Sequence, residues 1–453
     1  MKKLFVPSRK GILTVSVLCC LLIFCQGFIM IRNASGQTDG VYYFTLERAI
    51  QWALSSDLGL QSAQEDIKAA MARKNARGTD FFPTFNLTYQ YVRNDDKQTV
   101  TELGTIRPRN EYTIIGKFTQ PLFEGFSILN RYKISDLSLQ VSAASEQVYR
   151  QDVIYSAMDA YFSLLKSRKL WEIAQETVSE IEAQRKDAKN FYEVGITPLN
   201  DLLQVEVELA NAKQDLVASR NNLQTDEANF NKVLRRPINA PVYLEDILYF
   251  TPFDYDIEYC FGQAEIHRQE LDIADLELQI AKKEFDISKK GFFPSISLEG
   301  RYVQQGTEWD ARGGLGVLGD SSFWNITAVA TWNFFEWGRT YYGAEEQIYR
   351  VAQTRLERFQ LLDDIRLEVK ESYLRMRQAE TNIQTIEVAI AQAEENFRIN
   401  RERYQEQIAT ATDVLIAQTL LSRTRTNYFN AVYDYEIAKA ELFRAMGVLN
   451  MVN

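Results

Sequence analysis

The sequence Phe81-Phe82-Pro83 returns as Phe292-Phe293-Pro294, 211 positions later, and further pairs keep nearly that spacing. Leu60 and Ala63 return as Leu271 and Ala274, again at 211. Tyr192, Ile196, Asp201 and Leu203 return as Tyr404, Ile408, Asp413 and Leu415, at 212. Phe123-Glu124-x-Phe126 corresponds loosely to Phe335-Glu336-x-Gly338. Dispersed matches at one offset are the mark of an internal duplication, so whatever the chain folds into is written twice. The expected division is a leader over 1–36, a first repeat over 37–240 and a second over 241–453.

Each copy predicts the same order of elements. A helix comes first, over about 45–79 and 257–290, and ends before a proline that cannot continue it. Two strands follow, at about 84–93 and 111–120 in the first copy and 295–303 and 323–334 in the second. Phe85, Leu87, Tyr89 and Tyr91 share one face and alternate with Asn86, Thr88 and Gln90. Ile296, Leu298 and Tyr302 alternate with Ser297, Glu299 and Arg301, and Trp324, Ile326, Ala328 and Ala330 with Asn325 and Thr327. Period-two alternation suits a half-buried strand of an ordinary sheet and equally a barrel strand with lipid outside and a lumen inside. The intervening segments 94–110 and 304–321 are polar or Gly-rich and read as exposed loops.

Long helical stretches come next, over about 127–193 and 340–406, then shorter ones over 199–235 and 412–446. Ile134, Val141, Val148, Tyr155 and Phe162 recur every seven residues, as do Leu202, Leu209, Leu216, Leu223 and Phe230. Val414, Leu421, Tyr428, Tyr435 and Leu442 do the same in the second copy. Sustained heptads specify helices packed as coiled coils. The predicted fold class is therefore mainly α with a small β part, a duplicated helix, β-hairpin and long helical hairpin.

Composition narrows the function classes. Lys2, Lys3, Arg9, Lys10 and Arg32 are the only charges in 1–36, and without them the formal charge moves from −10 to −15. An acidic chain lacking a basic tract does not suit nucleic acid. The five cations, the apolar run Gly11 to Ile31 and the small residues Ala34-Ser35-Gly36 read as a secretory signal, with a retained anchor as the other reading. Of four cysteines only Cys260 lies beyond that segment, and His267 is the only histidine, so no disulfide and no Cys or His cluster for metal or catalysis is expected after 36. No later apolar run reaches the ~18 residues of a spanning helix. If the chain crosses a membrane, strands do it. Tyr89, Tyr91, Tyr112, Trp324 and Trp332 would then form an aromatic belt at headgroup level.

Four strands are too few to close a transmembrane barrel, whose minimum is about eight. An open edge facing lipid costs several kcal/mol per unpaired backbone group. The membrane reading thus forces oligomerisation, and strand counting alone leaves two or three copies open. Both hairpins lie at one end of the long helices and both helix breaks at the other. The first break, Val194-Gly195-Ile196-Thr197-Pro198, has glycine to end one helix and Thr-Pro to start the next.

The Phe-Phe-Pro before each first strand, Gln120-Pro121-Leu122-Phe123-Glu124-Gly125, and Tyr192-Glu193-Val194-Gly195-Ile196-Thr197 with Asp201-Leu202-Leu203 resemble the TolC-like outer-membrane efflux protein family. The resemblance covers essentially all of the chain beyond residue 36. It implies a homotrimer with a twelve-stranded barrel in the outer membrane and a twelve-helix tunnel across the periplasm. It implies docking on a periplasmic adaptor (membrane fusion) protein and an inner-membrane pump of RND, ABC or MFS type. The subunit is then a passive exit duct for tripartite efflux or type I secretion, with no catalysis and no cofactor. By the same resemblance the adaptor-docking tips are Val194, Gly195, Ile196 and Thr197 and, in the second copy, Gln407, Ile408, Ala409 and Thr410. The aperture gate falls to Asp201, Asp413, Tyr192 and Tyr404. Gln407 departs from the pattern, standing where glycine is usual, as does Ile416, where some relatives carry another aspartate. Read from the residues alone, Asp201 and Asp413 are better explained as simple helix-start carboxylates and the tyrosines as coiled-coil packing residues, and it is the resemblance that turns both toward gating. A periplasmic coiled-coil adaptor or structural envelope protein is the alternative, though it leaves the two amphipathic hairpins without a purpose.

Overall fold

The computed structural model describes residues 43–95, 98–99, 106–107, 109–246, 250–313 and 321–449. The expected signal segment 1–36 and the run Gly314-Leu315-Gly316 lie outside the described residues. The description that follows concerns the unit from Tyr43 onward.

Each half opens on a pair of helices where one was expected. In the first half these are α1 (Leu46–Ser56) and α2 (Leu58–Thr79). Asp57 sits between them with extended ψ, and its carboxylate accepts from the Leu60 amide at 2.7 Å, so one residue ends α1 and caps α2. In the second half α5 (Ile257–His267) and α6 (Gln269–Ser288) are separated at Arg268, 211 residues after Asp57. The Arg268 guanidinium is buried, held by Glu270 and Glu368 at 2.9 Å each and by the Ala445 carbonyl at 3.2 Å. A local cap makes the first break and a long-range ion pair accompanies the second. Neither leaves a helix-breaking residue type to read.

The strands form one antiparallel sheet in the order β2 (Thr84–Arg93), β3 (Asn110–Glu124), β5 (Ser295–Gly306), β6 (Ser321–Thr331). Two-residue strands β1 (Tyr43–Phe44) and β4 (Tyr243–Leu244) pair in parallel elsewhere, stapled by the buried Tyr161 hydroxyl, which donates to the Phe44 and Glu245 carbonyls. β3 runs past the expected 111–120. Pro121 cannot donate to the ladder, and the register shifts there so that Leu122 bulges out while pairing continues to Glu124. β6 ends at Thr331, short of the expected 334.

At the junction with the long helices both copies use two consecutive left-handed residues, Gly125-Phe126 and Trp337-Gly338. A side chain at Gly125 would meet the Lys290 backbone at 2.8 Å, so only glycine fits. From there α3 (Ser127–Glu193) and α7 (Arg339–Gln405) each run 67 residues, or about 100 Å at 1.5 Å per residue. α4 (Leu199–Val233) and α8 (Ala411–Ala445) return for 35 residues each.

The two helical hairpins pack together through one core at their turn ends. Leu202, Val205, Leu209 and Ala212 of α4 alternate by three and four, and so do Ala411, Val414, Ala417 and Leu421 of α8. They meet Val178, Ile181 and Ala188 of α3 and Ala393, Phe397 and Tyr404 of α7. Each large apolar side chain so buried stabilises the bundle by about 1.5–3 kcal/mol. The core also takes in polar groups. Gln184 has neither amide atom paired, and buried Gln418 donates to Glu180, whose carboxyl burial holds above the ordinary carboxylate range.

Candidate functional site

The two helix–helix turns have the same backbone. In the first, the Gly195 amide donates to the Tyr192 carbonyl and the Ile196 amide to the Phe191 carbonyl, both at 2.9 Å. In the second, the Gln407 amide donates to Tyr404 at 3.0 Å and the Ile408 amide to Arg403 at 2.8 Å. Both are Schellman closures, which need a left-handed residue at the position after the cap. Gly195 has φ +77° and Gln407 has φ +62°. The departure seen in the sequence is therefore a change of residue without a change of turn. Val194, Ile196 and Ile408 are exposed apolar side chains at this end, and Thr197 buries a hydroxyl with no partner. Ala409 is half-buried and Thr410 exposed.

The four aperture residues differ in how they are held. Asp413 caps its own helix, accepting from the Thr410 amide at 2.9 Å and hydroxyl at 2.8 Å, and these bonds pull its carboxyl below the usual range. Asp201 has no such bond, because Pro198 stands at the cap and offers neither hydroxyl nor N–H. Tyr192 is 41% exposed, whereas Tyr404 is 4% exposed. The Tyr404 ring meets Phe191 edge-on at 5.5 Å. Burial, with the nearby carboxylates of Asp201 and Asp187, pushes its hydroxyl up to about 12, and that hydroxyl has no hydrogen-bond partner. Tyr404 and Asp201, which come from different copies, are thus near enough for the carboxylate to act on the tyrosine hydroxyl.

At the other end the sheet has two unlike faces. One row in register reads Leu87, Gly116, Tyr302, Trp324, and the row nearer the helices reads Phe85, Phe118, Gly300, Ile326. The opposite face carries Asn86, Lys117, Arg301 and Asn325 in one row and Thr84, Thr119, Glu299 and Thr327 in the next. Lys117 and Glu299 form an ion pair at 2.9 Å. Tyr89, Tyr91 and Tyr112 cluster toward the loops on the apolar face, Tyr91 stacked on Tyr112 at 4.8 Å. The Tyr89 hydroxyl donates to the Trp309 carbonyl at 2.6 Å. Trp332 lies beyond the end of β6, apart from this group. It belongs to a second aromatic collar beside the helices, with Phe334, Phe335 and Trp337 all exposed, which the sequence reading left out. The signal was available in Trp332-Asn333-Phe334-Phe335-Glu336-Trp337. No helix among the described residues is long and apolar enough to cross a membrane. The sheet, apolar on one face and polar on the other, has the alternation of strands with lipid on one side and a lumen on the other.

The profile of the family described as outer membrane efflux protein matches residues 49–234 and 261–448, one block in each copy. The chain belongs to the outer membrane efflux protein family. The chain is similar to outer membrane protein TolC of Escherichia coli (strain K12), 19% identical over 426 residues, spanning 89% of this chain and 82% of that protein. It is similar to outer membrane efflux protein BepC of Brucella suis biovar 1 (strain 1330), 20% identical over 87% of this chain and 81% of that one. Among solved structures, the Campylobacter jejuni CmeC outer membrane channel superposes with a TM-score of 0.77 at 16% identity, covering 89% of this chain and 86% of that one. CusC gives 0.76, also at 16%, covering 91% and 95%. As a member of the outer membrane efflux protein family the chain is an outer-membrane exit channel subunit, its sheet in the membrane and its helices extending through the periplasm.

Proposed function

We propose that three copies of this chain, each a duplication with repeats over 37–240 and 241–453, close a twelve-stranded barrel and a twelve-helix duct. The carrying observation is the four-stranded sheet with β2 and β6 as edges and opposite characters on its faces. In a bilayer those edges have to pair, and the closing partner that repeats the same strands is another copy. The duct is passive. A periplasmic adaptor and an inner-membrane pump supply direction and energy, and the turn residues Val194 to Thr197 and Gln407 to Thr410 face the adaptor. The exposed Val194, Ile196 and Ile408, grouped at the two turns, support that role, since exposed apolar side chains that gather in one place mark an interaction surface.

Asp201 and Asp413 narrow the closed aperture, with Tyr192 beside them, and Tyr404 acts from within the bundle by its proximity to Asp201. Aspartates that form no ion pair among the described residues repel across a threefold axis, so their removal widens and neutralises the constriction. Purified protein should migrate on SDS gels as an oligomer until boiled, and D201A/D413A channels should show higher conductance in planar bilayers. A photocrosslinker at Ile196 should capture an envelope adaptor in whole cells. Migration as a monomer without boiling overturns the barrel, and unchanged conductance overturns the gate.

A further inference from the structure

The polar face of the sheet carries an uncompensated cation. Arg301 is exposed and stands in one cross-strand row with Asn86, Lys117 and Asn325. Lys117 is neutralised by Glu299, one row nearer the helices, at 2.9 Å. Arg301 has no carboxylate within ion-pair distance among the described residues. The other acids of this face lie far off. Glu111 is six residues from Lys117 toward the loops, about 20 Å along the strand, and Glu124, at the helix end, is bound by Arg131 at 3.0 Å. Both separations exceed the Debye length of about 8 Å at physiological salt.

We propose that Arg301, with Lys117 beside it, forms an anion-binding ring in the barrel lumen that takes polyanionic solutes. The inference rests on the trimer reading, in which threefold repetition of this row sets three arginines and three lysines around one level of the pore. Each protomer then contributes one net positive charge, since its lysine is matched by Glu299. The low-dielectric barrel wall focuses that field into the lumen. A guanidinium offers paired N–H donors in the geometry that phosphate and carboxylate groups accept. The ring opposes the rest of the molecule, whose formal charge is negative and whose turn end carries Asp201 and Asp413. The duct therefore has two filters of opposite sign in series, and the outer one favours anions.

Inositol hexakisphosphate tests this in planar bilayers. Added at the barrel side in low salt, it should block wild-type trimers, and 1 M salt should relieve the block. R301Q should raise the half-blocking concentration at least tenfold, while R301K should stay within about threefold of wild type. R301E should abolish the block and move the reversal potential in a salt gradient toward cations. Equal block of wild type and R301Q, or block from the helix side alone, overturns the ring. A boil-sensitive oligomer on gels separates the two readings. Channels that form but show no Arg301-dependent block sink the ring while sparing the trimer, and protein that forms neither oligomer nor channel sinks both.

Discussion

The two helix–helix turns share one backbone and differ in what fixes it. At the first, Gly195 takes the left-handed position freely, and an added Cβ would find nothing within 4 Å. At the second, Gln407 holds the same position at φ +62°, against the intrinsic preference of its side chain. The second turn is compensated by a capping box between Thr410 and Asp413, which the first lacks because Pro198 occupies that place. It also has Tyr404 rooted in the core where the first turn has the exposed Tyr192. Conformational freedom sets one turn, and caps and packing set the other.

The largest test of that difference is removal of the rooted tyrosine. Tyr404→Ala leaves a cavity against Phe191 and should lower the local opening free energy of the turn by about 3–5 kcal/mol, read by hydrogen exchange. Tyr192→Ala should cost less than about 1 kcal/mol, and equal losses would erase the distinction. Next comes the left-handed residue. Gly195→Ala should destabilise by about 1–2 kcal/mol through the backbone alone, while Gln407→Gly should stabilise by up to about 1 kcal/mol. A loss on Gln407→Gly would mean that its side chain makes contacts the turn depends on.

Thr410→Ala should cost about 1 kcal/mol at the second turn by breaking the capping box. The Asp413 share of that stability is pH-dependent. Its carboxyl is held below its ordinary value of 3.8, so the contribution is complete above that pH and disappears as pH falls through the depressed value. The smallest effect concerns the unpartnered hydroxyl. Tyr404→Phe should be neutral or slightly stabilising near pH 7, because it deletes a buried polar atom that bonds to nothing. In the wild type, burial raises this hydroxyl from 10.0 to about 12, so folding stability falls as pH climbs from 10 toward 12. The phenylalanine variant should flatten that alkaline decline in thermal melts.

The duplication, the alternating strands and the heptads made the fold class legible, because each is a periodic demand that burial places on a chain. The Gly195 turn was legible for the same kind of reason, since glycine followed by Thr-Pro is local chemistry. The breaks at Asp57 and Arg268 were not. An aspartate inside an apparently continuous helix becomes a cap only if its neighbours adopt the turn, and the Arg268 break is accompanied by a bond to Ala445, far along the chain. The pairing of Pro121 with Ser297 beside a bulge at Leu122 likewise belongs to the sheet and not to either strand.

By itself, the sequence determined that this protein is a duplicated helical hairpin carrying amphipathic strands, and its motifs, through the family they resemble, that it is a fraction of a larger channel. Only the tertiary structure decided that the Gln407 turn copies the Gly195 turn, that Tyr404 is core while Tyr192 is surface, and that Arg301 stands in one row with Lys117. The reason is physical. Periodicity and turn chemistry are local and survive in a linear reading, whereas a buried ring, a left-handed glutamine and a row of charges across strands exist only once distant segments meet.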